Sequence, residues 1–400
     1  MSSIYIHWPF CISKCNYCNF NSVPCAGNKM DFREWLNLYR RTLLAFGNRY
    51  YRGDLVTSVY FGGGTPSLLP SSFVNNLLDE IQKLFNLSEN AEITLEANPD
   101  AINPSKAKEF KKSGINRLSI GVQSIIDSDL MMLGRTHGSH SAKECVFEMA
   151  QIFNNISIDL IYNRPGQKVE DWEEELIEVL SFPIDHISLY ELIIEDRTPM
   201  KTMIDNGILP APDNSSEFFE RTLEITQNAG FTMYEVSNFV RTTLGEGAKI
   251  LDNFYVSRHE IHKNYLKFSP PPSKVSQHNL SYWQYLDYFG IGPGAHSRVT
   301  LQNGKKLAIM QTKNNFEIEY LSREDKFKER LLMGLRSNIC GVNLFDIDDD
   351  IKLRFNIKNK LEKLLKNEYI VMYGDRVVLT YTGILRLNLI IRYLADSGVI

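Results

Sequence analysis

Cys11, Cys15 and Cys18 stand in a C-x3-C-x2-C array within YIHWPFCISKCNYCNFNS (residues 5–22), and they are half of the six cysteines in the chain. Three thiolates so close in sequence all point inward only if the backbone loops around something, and a [4Fe–4S] cluster has four irons to bind. One iron is then left for an exchangeable ligand. His7, Trp8, Pro9, Phe10, Tyr17 and Phe20 supply an apolar collar whose burial would tune the potential of such a cluster. A structural zinc site completed by His7 or Cys25 is the alternative, although such sites usually come as two separated Cys/His pairs. Disulfides fit less well, because no secretory signal and no long apolar segment is visible, which points to a reducing, cytoplasmic compartment. Cys25, Cys145 and Cys340 are scattered, and Cys145 in AKECVFEMAQIF reads as a small buried apolar residue.

A second feature is GGGTP (62–66), which follows the strand-like run LVTSVYF (55–61) and precedes a helical pattern that starts near Pro70, with Ser71 available as its cap. Glycines there let the backbone approach a ligand at the carboxyl end of a sheet. The run lacks the Gly-Lys-Ser/Thr of a phosphate loop. Polar residues also sit near the ends of later strands: Glu96 in TLEANP, Gln123 in SIGVQS and Asp159 in SIDLIY. In a parallel barrel that face holds the active site, while a strand-end hydrogen bond or a helix cap is the other reading of each residue.

The elements that position these residues alternate. Strand-like segments fall at 92–98, 117–124, 156–162, 186–193 and 231–239, and helical patterns at 31–46, 104–112, 128–153, 168–181 and 213–229. Strands separated by helices predict βαβ units and a parallel sheet close to a partial barrel, in an α/β fold. Residues 241–276 turn polar, then basic, and end near Pro270–Pro272, so they are expected to form a flexible insertion. Residues 288–310 suggest a glycine-rich turn and a hairpin at Asn303-Gly304. From 321 the pattern is three helices, two strands and a last helix, a winged-helix-like order. The resulting division is a core over 1–240, an insertion over 241–276, a linking segment over 277–320 and a C-terminal domain over 321–400.

Net charge is −4 and the pI about 6.1, which argues against nucleic-acid binding through a broad basic surface. The longest apolar run, near the C terminus, is broken by Arg386, Asn388 and Arg392, so no membrane span is expected.

The C-x3-C-x2-C array inside YxHxPFC, followed by GGGTP, resembles the radical S-adenosylmethionine (SAM) superfamily. More narrowly, the chain is similar to the group containing oxygen-independent coproporphyrinogen III dehydrogenase and the HemW-type haem chaperones. The resemblance implies an incomplete six-unit (β/α) barrel, a [4Fe–4S] cluster on Cys11, Cys15 and Cys18, and SAM chelating the open iron through its amino and carboxylate groups. The positions matching the family's SAM contacts are Tyr5, Tyr17, Gly63, Gly64, Thr65, Glu96, Gln123, Arg135 and Asp159. LIYNRPGQ departs from the pattern, with Asn163 and Arg164 where relatives commonly show Gly-Leu.

Two features separate the branches of the group. The dehydrogenase carries a further cysteine two residues after the triad, where this chain has Phe20, and a long extension before the motif, where this chain has ten residues. QHNLSYW (277–283) matches the HNxxYW pattern of the HemW group. That match implies haem as a ligand, with His278 on the iron and Tyr282 and Trp283 walling the macrocycle. Capping of a helix by His278 and Asn279 is the structural alternative. His296 is a second candidate ligand with a turn-stabilising alternative, and His259 and His262 are expected to be solvated. The implied partners are haem and haem-accepting proteins, including membrane-bound ones, with no nucleic acid. The competing activity is that of an oxygen-independent coproporphyrinogen III oxidase.

Overall fold

Strand β1 (Ser2–Trp8) is buried at six of its seven positions, the mark of a strand covered on both faces. It belongs to a computed structural model that describes the chain except for residues 26–29, 213–214, 243–273, 314, 348 and 355. Most of the expected insertion, with His259 and His262, therefore lies outside the described residues. The chain divides into one unit of Met1–Ile225 with Asp287–Tyr320 and another of Thr226–Leu286 with Leu321–Ile400. This division cuts across the expected segments at Ile225 and Asp287.

In the first unit β1, β2 (Val56–Gly63), β3 (Leu87–Ala97), β4 (Arg117–Gln123), β5 (Ile156–Tyr162) and β6 (His186–Glu191) lie side by side in chain order, every neighbour parallel. Helices connect them: α1 (Phe32–Arg49), α2 (Ser71–Leu84), α3 (Pro104–Lys112), α4 (Asp127–Leu133), α5 (Ser139–Ala150) and α6 (Val169–Leu180). This is a partial (β/α) barrel. A seventh parallel strand, Asp287–Ile291, pairs with the outer side of β1, and the antiparallel strands His296–Thr300, Lys306–Gln311 and Phe316–Tyr320 follow it.

Two helix expectations are corrected. Ser71 does not cap α2: Pro70 is the cap residue, and the Ser71 hydroxyl donates to Glu109 instead. The pattern over 128–153 is two helices, because Gly134 adopts a left-handed φ of 73° that ends α4. That break frees Arg135 from helical geometry.

In the second unit the expected strand over 231–239 is an antiparallel hairpin of Phe231–Glu235 and Asn238–Arg241. Ser237, at φ 81°, makes the reversal that its residue type does not announce. The helix Gln277–Trp283 follows. The remainder holds helices Arg323–Leu335, Asp349–Arg354 and Ile357–Lys366, a hairpin of Ile370–Tyr373 and Arg376–Leu379, and two terminal helices where one was expected. Among the described residues no helix is long and apolar enough to cross a membrane.

Candidate functional site

The cysteine loop is closed by its own backbone. Phe10–Cys11 pairs with Val23–Pro24, and the Cys25 N–H donates to the Cys11 carbonyl at 2.9 Å. All three cysteines are partly exposed and carry free thiols. Polar donors surround them. Arg135 Nη1 lies 3.3 Å from Cys15 Sγ, Ser22 Oγ lies 3.9 Å from Cys18 Sγ, and the hydroxyls of Thr65 and Ser22 face the Cys11 thiol. Burial pushes the Cys11 thiol up, and those two hydroxyls oppose the shift. Donors aimed at sulfur stabilise a ligating thiolate, so this donor set suits a cluster.

His7 is committed elsewhere. Its Nδ1 pairs with the Tyr5 hydroxyl and its Nε2 with the Asn21 carbonyl, both at 3.0 Å, and burial lowers its pKa. Among the described residues no three His, Cys, Asp or Glu side chains converge on a single ion. The aromatic collar is also corrected. Trp8 is buried, and it and half-buried Phe10 pack against Phe32, Trp35 and Phe73 of α1 and α2, with ring centroids 5.0–6.1 Å apart. Phe20 is 65% exposed.

The glycine run has a different physical reason from the one expected. A Cβ on Gly63 would sit 2.6 Å from His7 Nδ1, and one on Gly64 would sit 2.6 Å from the Phe10 carbonyl oxygen. Gly64 and Thr65 donate their N–H groups to the carbonyls of Trp8 and Phe10 at 2.6 and 2.8 Å. The glycines thus let this turn dock on the start of the cysteine loop. Gly63, at φ 111°, also aims its N–H at Glu96 Oε2 over 3.1 Å.

Glu96 is the centre of the strand-end group. Its carboxylate accepts from the Tyr60 hydroxyl at 2.8 Å as well as from Gly63. Burial pushes its pKa up to about 7; Tyr60 opposes this and nearby Asp159 reinforces it. Asp159 is raised as well, chiefly by burial, while the hydroxyls of Ser188 and Ser119 pull it down. Arg117, buried at the base of β4, compensates both carboxyls. A site that pairs raised carboxyls with fixed donors favours a cationic ligand, whose arrival ionises them.

Arg135 ties the two halves together. Besides Cys15, it donates through Nη2 to Asn98 Oδ1 at 2.9 Å and to the Gly121 carbonyl at 2.8 Å. Asn98 in turn donates to Thr65 Oγ1 at 3.4 Å. Gln123 closes β4 at φ 68°, and a Cβ on Gly121 would meet its amide at 2.8 Å. Tyr17 is half-buried beside Arg135; desolvation raises its pKa and Arg135 opposes the shift. Sequence reasoning passed over Tyr60, Asn98 and Ser119. Asn98 stands two residues after Glu96 in TLEANP, so the strand-end rule that selected Glu96 extends to it.

In the second unit Ser276 is the cap of the helix Gln277–Trp283, its hydroxyl accepting from the Asn279 N–H at 3.3 Å. This overturns capping by His278 and Asn279. His278 is buried, with Nε2 2.9 Å from the Tyr282 hydroxyl. Asn279 and Trp283 instead face the buried Glu235 carboxyl, as do Asn238 and Arg336, and burial holds that carboxyl well above its usual range. The motif therefore has two faces, His278 with Tyr282 and Asn279 with Trp283. Trp283 lies on the Glu235 side of the helix. His296, in the first unit, is exposed.

The radical SAM superfamily pattern matches residues 5–178. Across 316 residues the chain is 33% identical to the haem chaperone HemW of Buchnera aphidicola, covering 78% of this chain and 74% of that protein. The chain belongs to the HemW family of radical SAM proteins. Family membership implies a [4Fe–4S] cluster and SAM. It is also 37% identical over 301 residues to the bovine mitochondrial radical S-adenosyl methionine domain-containing protein 1, matching 74% of this chain and spanning 60% of that relative's length. The solved coproporphyrinogen III oxidase (HemN) of Escherichia coli shares the fold, with a TM-score of 0.75 at 19% identity, over 98% of this chain and 89% of that one.

Proposed function

We propose that this HemW-family protein is a radical SAM haem chaperone that binds haem and passes it to acceptor proteins, membrane-bound haem enzymes among them. Cys11, Cys15 and Cys18 hold three corners of a [4Fe–4S] cluster. SAM takes the exchangeable corner against Tyr5, Tyr17, Gly63, Gly64, Thr65, Glu96, Gln123, Arg135 and Asp159. The observation that carries this part is Arg135, whose one guanidinium reaches Cys15, Asn98 and the Gly121 carbonyl at once. When bound together, cluster and SAM supply one-electron cleavage of the carbon–sulfur bond. The chain's own residues orient SAM, exclude water and set the charge of Glu96.

His278 is the proposed haem ligand. Its buried ring is held at a fixed angle by Tyr282, as second-shell hydrogen bonds hold ligating imidazoles. Tyr282 and Trp283 are the proposed walls of the macrocycle. Phe20, exposed where the oxidase branch has its further cysteine, favours the chaperone. The test is a haem titration of anaerobically reconstituted protein, read by visible absorption, on the native chain and on His278→Ala. A Soret band that the substitution alters supports the reading. Absence of binding by the native chain removes it.

A further inference from the structure

The departure at Asn163–Arg164 has a structural answer. Asn163 adopts φ 57°, a left-handed conformation that asparagine tolerates, and its side chain donates to Glu191 at 3.1 Å. Arg164 then turns fully inward. Its Nη2 lies 2.6 Å from Glu175 Oε2 on α6 and 2.8 Å from Asp129 Oδ2 on α4, and its Nη1 donates to the Ile161 carbonyl at 2.8 Å.

Both partners lead to the site. The other oxygen of Glu175 accepts from Ser124 Oγ at 2.6 Å and from the Ile125 N–H at 2.8 Å, so it grips the turn directly after Gln123. Gln123 needs that grip, because its φ of 68° is one that a non-glycine residue holds only under constraint. Asp129 sits in α4, the helix whose far end docks on the cysteine loop. Asn16 donates from its backbone N–H to the Leu133 carbonyl and from Nδ2 to the Met132 carbonyl, both at 2.9 Å. Two residues beyond α4, Arg135 reaches Cys15.

We propose that the buried Arg164–Glu175 pair is a positioning device for the site, with Glu175 fixing the turn that carries Gln123 and Arg164 fixing the helix that delivers Arg135 to Cys15. It rests on the reading of the site given above. Stability alone is a weak reason for such a pair, since a buried ion pair is often no better than apolar residues of the same volume. What the charges add is direction: each bond has one geometry, and each ends on an element that faces the cysteines or the strand ends.

The test uses variants that cut the links without stranding a buried charge. Ser124→Ala removes one of the two bonds by which Glu175 holds the turn and leaves the Ile125 N–H bond, Asp129→Asn weakens the link to α4, and Arg164→Leu with Glu175→Leu removes both charges together. The first readout is amide hydrogen exchange, which needs no cofactor. Exchange at Ile125, whose N–H donates to Glu175, is expected to quicken in Ser124→Ala and more so in the double variant, and exchange at 130–136 and at Asn16 in Asp129→Asn, with the unfolding midpoint of the single variants near native; Ile126 is no reporter, because its N–H donates to Ser124 Oγ itself. On reconstituted protein, Ser124→Ala and the double variant should bind SAM about tenfold more weakly, the worth of one well-placed hydrogen bond. Asp129→Asn and the double variant should alter the electron paramagnetic resonance spectrum of the reduced cluster. Native exchange at both places in the two single variants overturns the proposal, as do native SAM affinity and a native cluster spectrum in the double variant. If the native chain binds neither cluster nor SAM, the site reading fails, while the exchange measurement still decides the positioning role.

Discussion

Glu96 makes SAM binding depend on pH in a direction the structure fixes. Burial raises its pKa to about 7, so near neutrality the free protein holds a mixture of carboxylic acid and carboxylate. SAM carries a sulfonium cation, which interacts more favourably with the carboxylate. Affinity should therefore rise as pH rises through about 7 and level off above it, with one proton released on binding at lower pH. At one pH unit below the pKa only about a tenth of the sites carry the charge, so the dissociation constant should be about tenfold larger there than on the plateau. Glu96→Gln removes this titration while keeping a carbonyl oxygen for the Gly63 N–H, with the amide NH2 turned to the Tyr60 hydroxyl, which can accept as well as donate. The assay is isothermal titration of SAM into reconstituted protein between pH 5.5 and 8.5, as rough bounds about that pKa, on both proteins. SAM's own amino group titrates in both, so the difference between the curves belongs to Glu96. Parallel curves would refute the reasoning. The same shift predicts a folding effect of opposite sign: the folded-state pKa is raised, so this carboxyl stabilises the fold only when protonated and that contribution fades as pH rises towards about 7.

Replacing Cys11, Cys15 and Cys18 with alanine should abolish the anaerobic iron–sulfur absorbance, and retained absorbance would show that other residues hold the iron. Gly63→Ala, at φ 111° with its new Cβ 2.6 Å from His7, should cost about 2–4 kcal/mol and appear as a lower unfolding midpoint by calorimetry, whereas an unchanged midpoint would contradict the docking of this turn.

The parallel barrel was legible because strand-like segments such as ISIDLIY and RLSIGVQ alternate with helical patterns, the order of βαβ units. The cysteine array and the strand-end rule pointed to one region of it. Hydroxyl partners were less legible, since Tyr60 and Ser119 become site residues only when neighbouring strands fall into register, whereas Asn98 lay within reach of the strand-end rule. The 128–153 pattern hid a break because Gly134 inside a helical period is tolerated, and only its left-handed φ shows that the helix ends. Ser237 hid a hairpin for a similar reason, as serine carries no strong turn signal. Capping by His278 and Asn279 was the alternative their place in the motif offered, but the cap is set by whichever side chain reaches the free N–H groups, and Ser276 lies one residue outside the motif.

The measurement closest to the central claim is the rate at which haem leaves the loaded protein for the apo form of a b-type cytochrome. Direct handover predicts a rate that climbs with acceptor concentration and falls in His278→Ala. A rate independent of acceptor concentration would mean passive release and would contradict a chaperone role, the more so if the same protein anaerobically converts coproporphyrinogen to protoporphyrinogen.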